Sequence, residues 1–132
     1  MRKLIYNFLL ILASISPAST YAGGLAEVTT IKQLLTSELD GKYIAVSGTV
    51  SRIELKIGRL GSHYIEIELI STEIKRNFAV THRILALSTF KIFTNLGDQL
   101  SVVGIYKKEG RFAGFLADNF ISVEFAASGD LF

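Results

Sequence analysis

The sequence predicts a mainly β domain, a small five-stranded barrel preceded by one short α-helix. Three observations predict it. From residue 41 onward the apolar residues alternate with a period of two, as in half-buried strands. Before that point, Val28, Ile31, Leu34, Leu35 and Leu39 follow the i, i+3, i+4 spacing of an amphipathic helix. Third, Gly41-x-x-Ile44-x-Val46-x-Gly48-x-Val50 is echoed position for position by Gly97-x-x-Leu100-x-Val102-x-Gly104-x-Tyr106. Each copy starts on a turn glycine and carries a second glycine where the strand can curl, and strongly coiled strands are what close a small barrel.

The first element in chain order is a leader. Arg2 and Lys3 precede an apolar stretch from Leu4 to Ile15, followed by Pro17 and small residues to Ala22. This layout is that of a signal peptide at 1–22, cleaved after Ala22 or after Ala18, with periplasmic or secreted protein as its product and no stable membrane insertion once cleaved. Of the 14 Lys and Arg residues, two lie in this leader, whereas all 12 acidic residues lie beyond it. The mature chain is formally neutral, so any attraction for anions must come from local clustering. The chain has no cysteine, hence no disulfide, and the sheet must hold the domain unaided.

Residues 23–40 form an N-terminal helical segment, with the helix expected within Glu27–Leu39, capped by Thr29 or Thr30 and ended by Asp40-Gly41. The barrel follows over 41–125. Its first strand shows Ile44, Val46 and Val50 on one parity and Ile53, Leu55 and Ile57 on the other, which demands a bulge between Gly48 and Arg52. In the second strand Ile65, Ile67 and Leu69 point inward, with Tyr64, Glu66 and Glu68 outward. Between residues 70 and 96 the third strand is placed within Phe78–Leu87, and "LSTFKIF" could supply a short helix. The fourth strand carries Leu100, Val102, Gly104 and Tyr106 inward, a loop runs from Lys107 to Gly110, and an aromatic-rich strand begins at Arg111. Residues 126–132 read as a tail, with Leu131 and Phe132 docking on the body.

"DGKYIAVSGTVSRI" (40–53) and "NLGDQLSVVGIY" (95–106) resemble the strand patterns of OB-fold domains, both the small exported bacterial ones and the anticodon-binding-like, nucleic-acid-binding group. The resemblance spans Asp40 to Phe125. It implies a ligand face over the second and third barrel strands, flanked by the loops joining strands 1–2 and 4–5. Those loops hold Lys56, Arg59 and His63 on one side and Lys107, Lys108 and Arg111 on the other, with Tyr64, Tyr106, Phe112 and Phe115 as aromatic faces for stacking. Glu66 and Glu68 share the outward face of the second strand and oppose an anionic strand there. The expected ligand is therefore a protein, peptide or glycan partner held by Lys56, Arg59, His63, Tyr64, Lys107, Lys108, Arg111 and Phe112. Single-stranded nucleic acid on the same face is the alternative, and a structural role in an envelope or secretion assembly the next. The sequence leaves the oligomeric state open.

Enzyme chemistry is not expected. There is no thiol nucleophile, no nucleophile elbow, no P-loop and no dinucleotide fingerprint. His63 and His82 lack metal-ligand spacing. Glu66 and Glu68 sit on one exposed strand face without the cleft that glycoside chemistry needs. No cofactor or metal is expected.

Overall fold

The computed structural model describes residues 25–129. The segment expected as a signal peptide, and Leu131 and Phe132, lie outside the described residues. In chain order the elements are β1 (Glu27–Val28), α1 (Ile31–Thr36), β2 (Tyr43–Ile57), β3 (His63–Lys75), β4 (Phe78–Ser88), β5 (Gln99–Phe112) and β6 (Phe115–Ser128). The neighbours run β1-β2-β3-β4-β6-β5, and a β2–β5 pairing closes the last five strands into a barrel. All barrel pairings are antiparallel except β4–β6. This five-stranded Greek-key barrel is the OB-fold.

The two echoed segments are partners in the closing pair. Gly48 lies opposite Leu100, Val46 opposite Val102, and Ile44 opposite Gly104. Their alternation sends Ile44, Val46, Leu100, Val102 and Tyr106 into one core with Ile67, Leu69, Ile84 and Ile121. The second glycine of each copy is fixed by close approach. A Cβ on Gly48 would press on the Ile31 side chain and the Ile70 carbonyl oxygen, both 3.0 Å away. One on Gly104 would overlap the Ser122 carbonyl oxygen, because β6 crosses there with a register shift opposite Val103 and Gly104.

The helix is shorter than its periodicity predicts. Thr30 is the N-cap: its hydroxyl accepts from the Gln33 N–H (3.1 Å), and the Gln33 side-chain oxygen accepts from the Thr30 N–H (3.2 Å). This capping box starts the helix at Ile31. Glu27 and Val28 are instead extended and pair in parallel with Ile44 and Ala45, and the Thr29 N–H donates to Ala45 O at 2.9 Å. The run Val28-Thr29-Thr30 is β-branched, and β2 offers it a ladder, so strand outcompetes helix there. Ile31 and Leu34 still plug the barrel, and Leu39, beyond the helix end, joins the same core.

The third barrel strand, expected within Phe78–Leu87, is β4, but the helix suggested by "LSTFKIF" is absent. Residues 89–98 run irregularly, opened by the Ser88 hydroxyl, which donates to Phe90 O (2.7 Å) and accepts from the Phe90 N–H (3.1 Å). The expected Lys107–Gly110 loop is also corrected. β5 continues to Phe112 and turns at Ala113-Gly114, where φ values of 51° and 87° match a type I′ hairpin. The pairs Glu109↔Asp118, Gly110↔Ala117 and Arg111↔Leu116 hold this polar stretch as strand. At the far end β6 continues through Ala126 and Ala127 to Ser128, because Val102, Ser101 and Leu100 are there to pair with them.

The bulge in β2 falls at Ser51, between Val50 and Arg52. It brings Ile53 opposite Ile67 and Leu55 opposite Ile65, on the inner side, as the parity switch requires. The β2–β3 ribbon outruns the barrel, however, so Ile53, Leu55 and Ile57 stay 38%, 70% and 60% exposed and add little to the core.

Candidate binding site

The outer face of the β2–β3 ribbon is built from three cross-strand rungs, Arg52↔Glu68, Glu54↔Glu66 and Lys56↔Tyr64. Glu54 directly opposite Glu66 would repel in isolation. Arg52 sits on one side of that rung, 2.8 Å from Glu54 and 3.2 Å from Glu66, and Lys56 sits on the other at 3.5 and 3.6 Å. Glu68 receives the Ser51 hydroxyl at 2.7 Å and Arg83 of β4 at 3.1 Å, with Arg52 at 3.8 Å. Three carboxylates thus meet three cations. The Ser51 hydrogen bond, helped by Arg83 and Arg52, holds the Glu68 carboxyl below the usual glutamate range despite its burial. Glu54 is lowered chiefly by its hydrogen bond from Arg52.

Beside this neutral network lies an aromatic and cationic seam. Phe112, near the tip of the β5–β6 hairpin, packs edge-on against Tyr64 with ring centroids 5.3 Å apart, and against Phe120 at 6.1 Å. Phe120 is buried, while Tyr64 and Phe112 stay partly open. Arg59 is exposed in the β2–β3 turn, and Lys108 and Arg111 are exposed on β5, with Lys107 half-buried beside them. Among the described residues, none of these four has a carboxylate within 4 Å. Asp40 accepts from the Lys108 backbone N–H at 2.8 Å, so that acid is engaged with main chain. Glu109 and Asp118 face each other across the hairpin.

The two loops, expected to flank an open groove, touch. The Arg59 N–H donates to Ala113 O at 2.8 Å. Gly58 and Gly114 allow this contact: a Cβ on Gly58 would lie 2.9 Å from the Ala113 Cβ, and one on Gly114 would lie 2.6 Å from the Arg59 Cβ. The Gly-Arg and Ala-Gly tips therefore form a bridge, next to which Tyr64 and Phe112 meet edge-on.

The eight residues expected at the site are divided by this arrangement. Arg59, Tyr64, Lys107, Lys108, Arg111 and Phe112 belong to the bridge and the hairpin that makes it. Lys56 is tied into the carboxylate network. His63 is exposed on β3 and lines, with Leu55, Tyr64, Ile65, Phe90 and Lys91, an apolar cavity of about 340 Å³, which therefore adjoins the seam at Tyr64. Tyr106, also expected to offer a stacking face, is buried and donates its hydroxyl to the Asn119 side-chain oxygen at 2.8 Å. Sequence reasoning missed Arg52 and Arg83. The outward parity of Arg52, Glu54 and Lys56 signals the first, whereas placing Arg83 requires the β3–β4 register, which the sequence does not show.

No protein-family model and no curated protein matches the sequence. Among solved structures, the chain is similar to a protein assigned as an aspartyl-tRNA synthetase from Leishmania major Friedlin, at a TM-score of 0.54 and 13% identity. That match covers 84% of this chain and 22% of the other, so the chain spans about a fifth of that protein's length. It is also similar to a Plasmodium falciparum SSB in complex with ssDNA, at a TM-score of 0.48 and 14% identity, covering 71% of this chain and 97% of that one.

Proposed function

We propose that the protein is a non-catalytic binding module for single-stranded nucleic acid, exported as its N-terminal sequence predicts. One observation carries the reading. The carboxylates of the β2–β3 face are each paired with cations, while Arg59, Lys107, Lys108 and Arg111, on the two ribbons that carry the Tyr64–Phe112 pair, have no carboxylate within 4 Å among the described residues. Single strands are held by positive charge along their phosphates and by aromatic faces for their bases, and this seam supplies both.

From sequence alone a protein, peptide or glycan partner stood first, because Glu66 and Glu68 opposed an anionic strand. Their pairing with Arg52, Lys56 and Arg83 removes that objection. The fold itself is one that binds oligonucleotides or oligosaccharides over this face, and a protein assigned as a tRNA synthetase is among those that share it.

Fluorescence anisotropy with a labelled single-stranded oligonucleotide tests the reading. Binding should weaken with salt at a log–log slope on the order of −3 if four cations meet phosphates. Replacing Arg59, Lys107, Lys108 and Arg111 together with Gln should abolish binding. Lys56→Gln should weaken it far less, since Lys56 already serves Glu54 and Glu66. No anisotropy change at low salt with the unaltered protein would end the proposal.

A further inference from the structure

We propose that two copies of the chain pair antiparallel along the free edge of β2, between Ile53 and Ile57, to form a two-fold dimer. β5 hydrogen-bonds along β2 only as far as Thr49, and Val50 is then closed off by Gly97 and Asp98, with Val50 N donating to Asp98 O and Gly97 N donating to Val50 O. Beyond that point β2 pairs only with β3 among the described residues. An edge of this kind presents unpaired N–H and C=O groups to any complementary strand.

The side chains along this edge fit a second copy of themselves in one register. Directly opposed residues must share a sheet face, so the two-fold axis has to pass through a residue position. With the axis at Leu55, Leu55 meets the partner's Leu55, and Ile53 meets the partner's Ile57. On the other face Glu54 meets the partner's Lys56, twice by symmetry. An axis at Glu54 would instead oppose Arg52 to the partner's Lys56 and Glu54 to itself. An axis at Lys56 would put like charges together, and one at Ile53 would run the strand into Val50, whose edge is already taken. The favoured register also covers Leu55 and Ile57, which the fold leaves 70% and 60% exposed on a regular strand. Burial of apolar side chains and removal of an open edge act in the same direction.

The test is sedimentation equilibrium of the purified protein and three variants, with circular dichroism confirming that each is folded. The unaltered protein should sediment at twice the monomer mass. Glu54→Lys and Lys56→Glu should each weaken association by about tenfold or more, because every new cross-strand pair is like on like. The double exchange should restore the dimer. A protein that stays monomeric at the highest concentration reached overturns the proposal. So does a dimer indifferent to both single exchanges, or one that the double exchange fails to restore. A second measurement holds even if those variants unfold. The chain has no cysteine, and paired strand positions lie within the Cα separation a disulfide spans. Leu55→Cys should therefore oxidise to a covalent dimer, while Ile74→Cys, at an 80% exposed position on another hairpin, should not. Equal cross-linking of the two would also overturn it.

Discussion

The two glycines within one copy of the echoed motif do different physical work. Gly97 has a positive φ of 87° and nothing within 4 Å of where a Cβ would point, so only its backbone conformation asks for glycine. Gly104 has an ordinary φ, but a Cβ there would overlap the Ser122 carbonyl oxygen. Its neighbour is backbone, which cannot swing aside as a flexible side chain would. Gly97→Ala should then lower stability by about 1 kcal/mol, the strain of one left-handed residue. Gly104→Ala should lower it by roughly 4 kcal/mol or more, the range reserved for a breached core. Urea unfolding of the two variants measures both. Equal midpoints would mean that the β5–β6 crossing can open without loss.

At the scale of elements, α1 shows how a six-residue helix survives. Isolated helices of this length are unstable in water, so α1 depends on what it plugs and how it starts. Leu34 is buried in the barrel core, whereas the Thr30 capping hydrogen bond is exposed. Leu34→Ala should cost about 3 kcal/mol and Thr30→Ala about 1 kcal/mol, both read from denaturant midpoints. The reverse ranking would mean that the cap, and not the plug, sets the helix. Its position was legible because Ile31 and Leu34 carry the periodicity. Its start was legible too, Thr30 being one of the two caps expected. Its end at Thr36, short of Asp40-Gly41, was not, nor was the pairing of Glu27 and Val28 with β2, which is a tertiary effect. The same physics explains the β5–β6 hairpin. "KKEG" reads as a loop by composition, but β6 pairs with Lys107, Glu109 and Gly110 while Asp40 accepts the Lys108 N–H, and the true turn needed Ala113 at positive φ, which an alanine does not advertise. The bulge at Ser51 was legible because apolar parity cannot switch without it. The site was half legible for a related reason. Arg59, Lys107, Lys108 and Arg111 are visible as clusters, but contact between two tips more than fifty residues apart in sequence depends on how far each ribbon coils.

Over the whole molecule, the acidic residues couple stability to binding. Glu68 is lowered by Ser51 and then by Arg83 and Arg52, Glu73 first by its hydrogen bond from Lys32, and Glu54 first by that from Arg52. A carboxyl lowered in the folded state contributes stability that is present above its unfolded pKa and lost as pH falls through its folded one. Glu124 is raised by burial, so its contribution is present below the unfolded value and lost as pH rises. Three carboxyls outweigh one, and the protein should lose stability as pH falls through and below the ordinary glutamate range. Two of the three, Glu54 and Glu68, belong to the neutral β2–β3 face. Protonating them leaves Arg52, Lys56 and Arg83 without full partners and turns that face positive. Oligonucleotide affinity at fixed ionic strength should therefore rise over the same pH interval in which the urea midpoint falls. Glu68→Gln should flatten part of both curves. An affinity that falls together with the midpoint would place the bound strand away from the β2–β3 face, because protonating its carboxylates can only favour an anion running beside them.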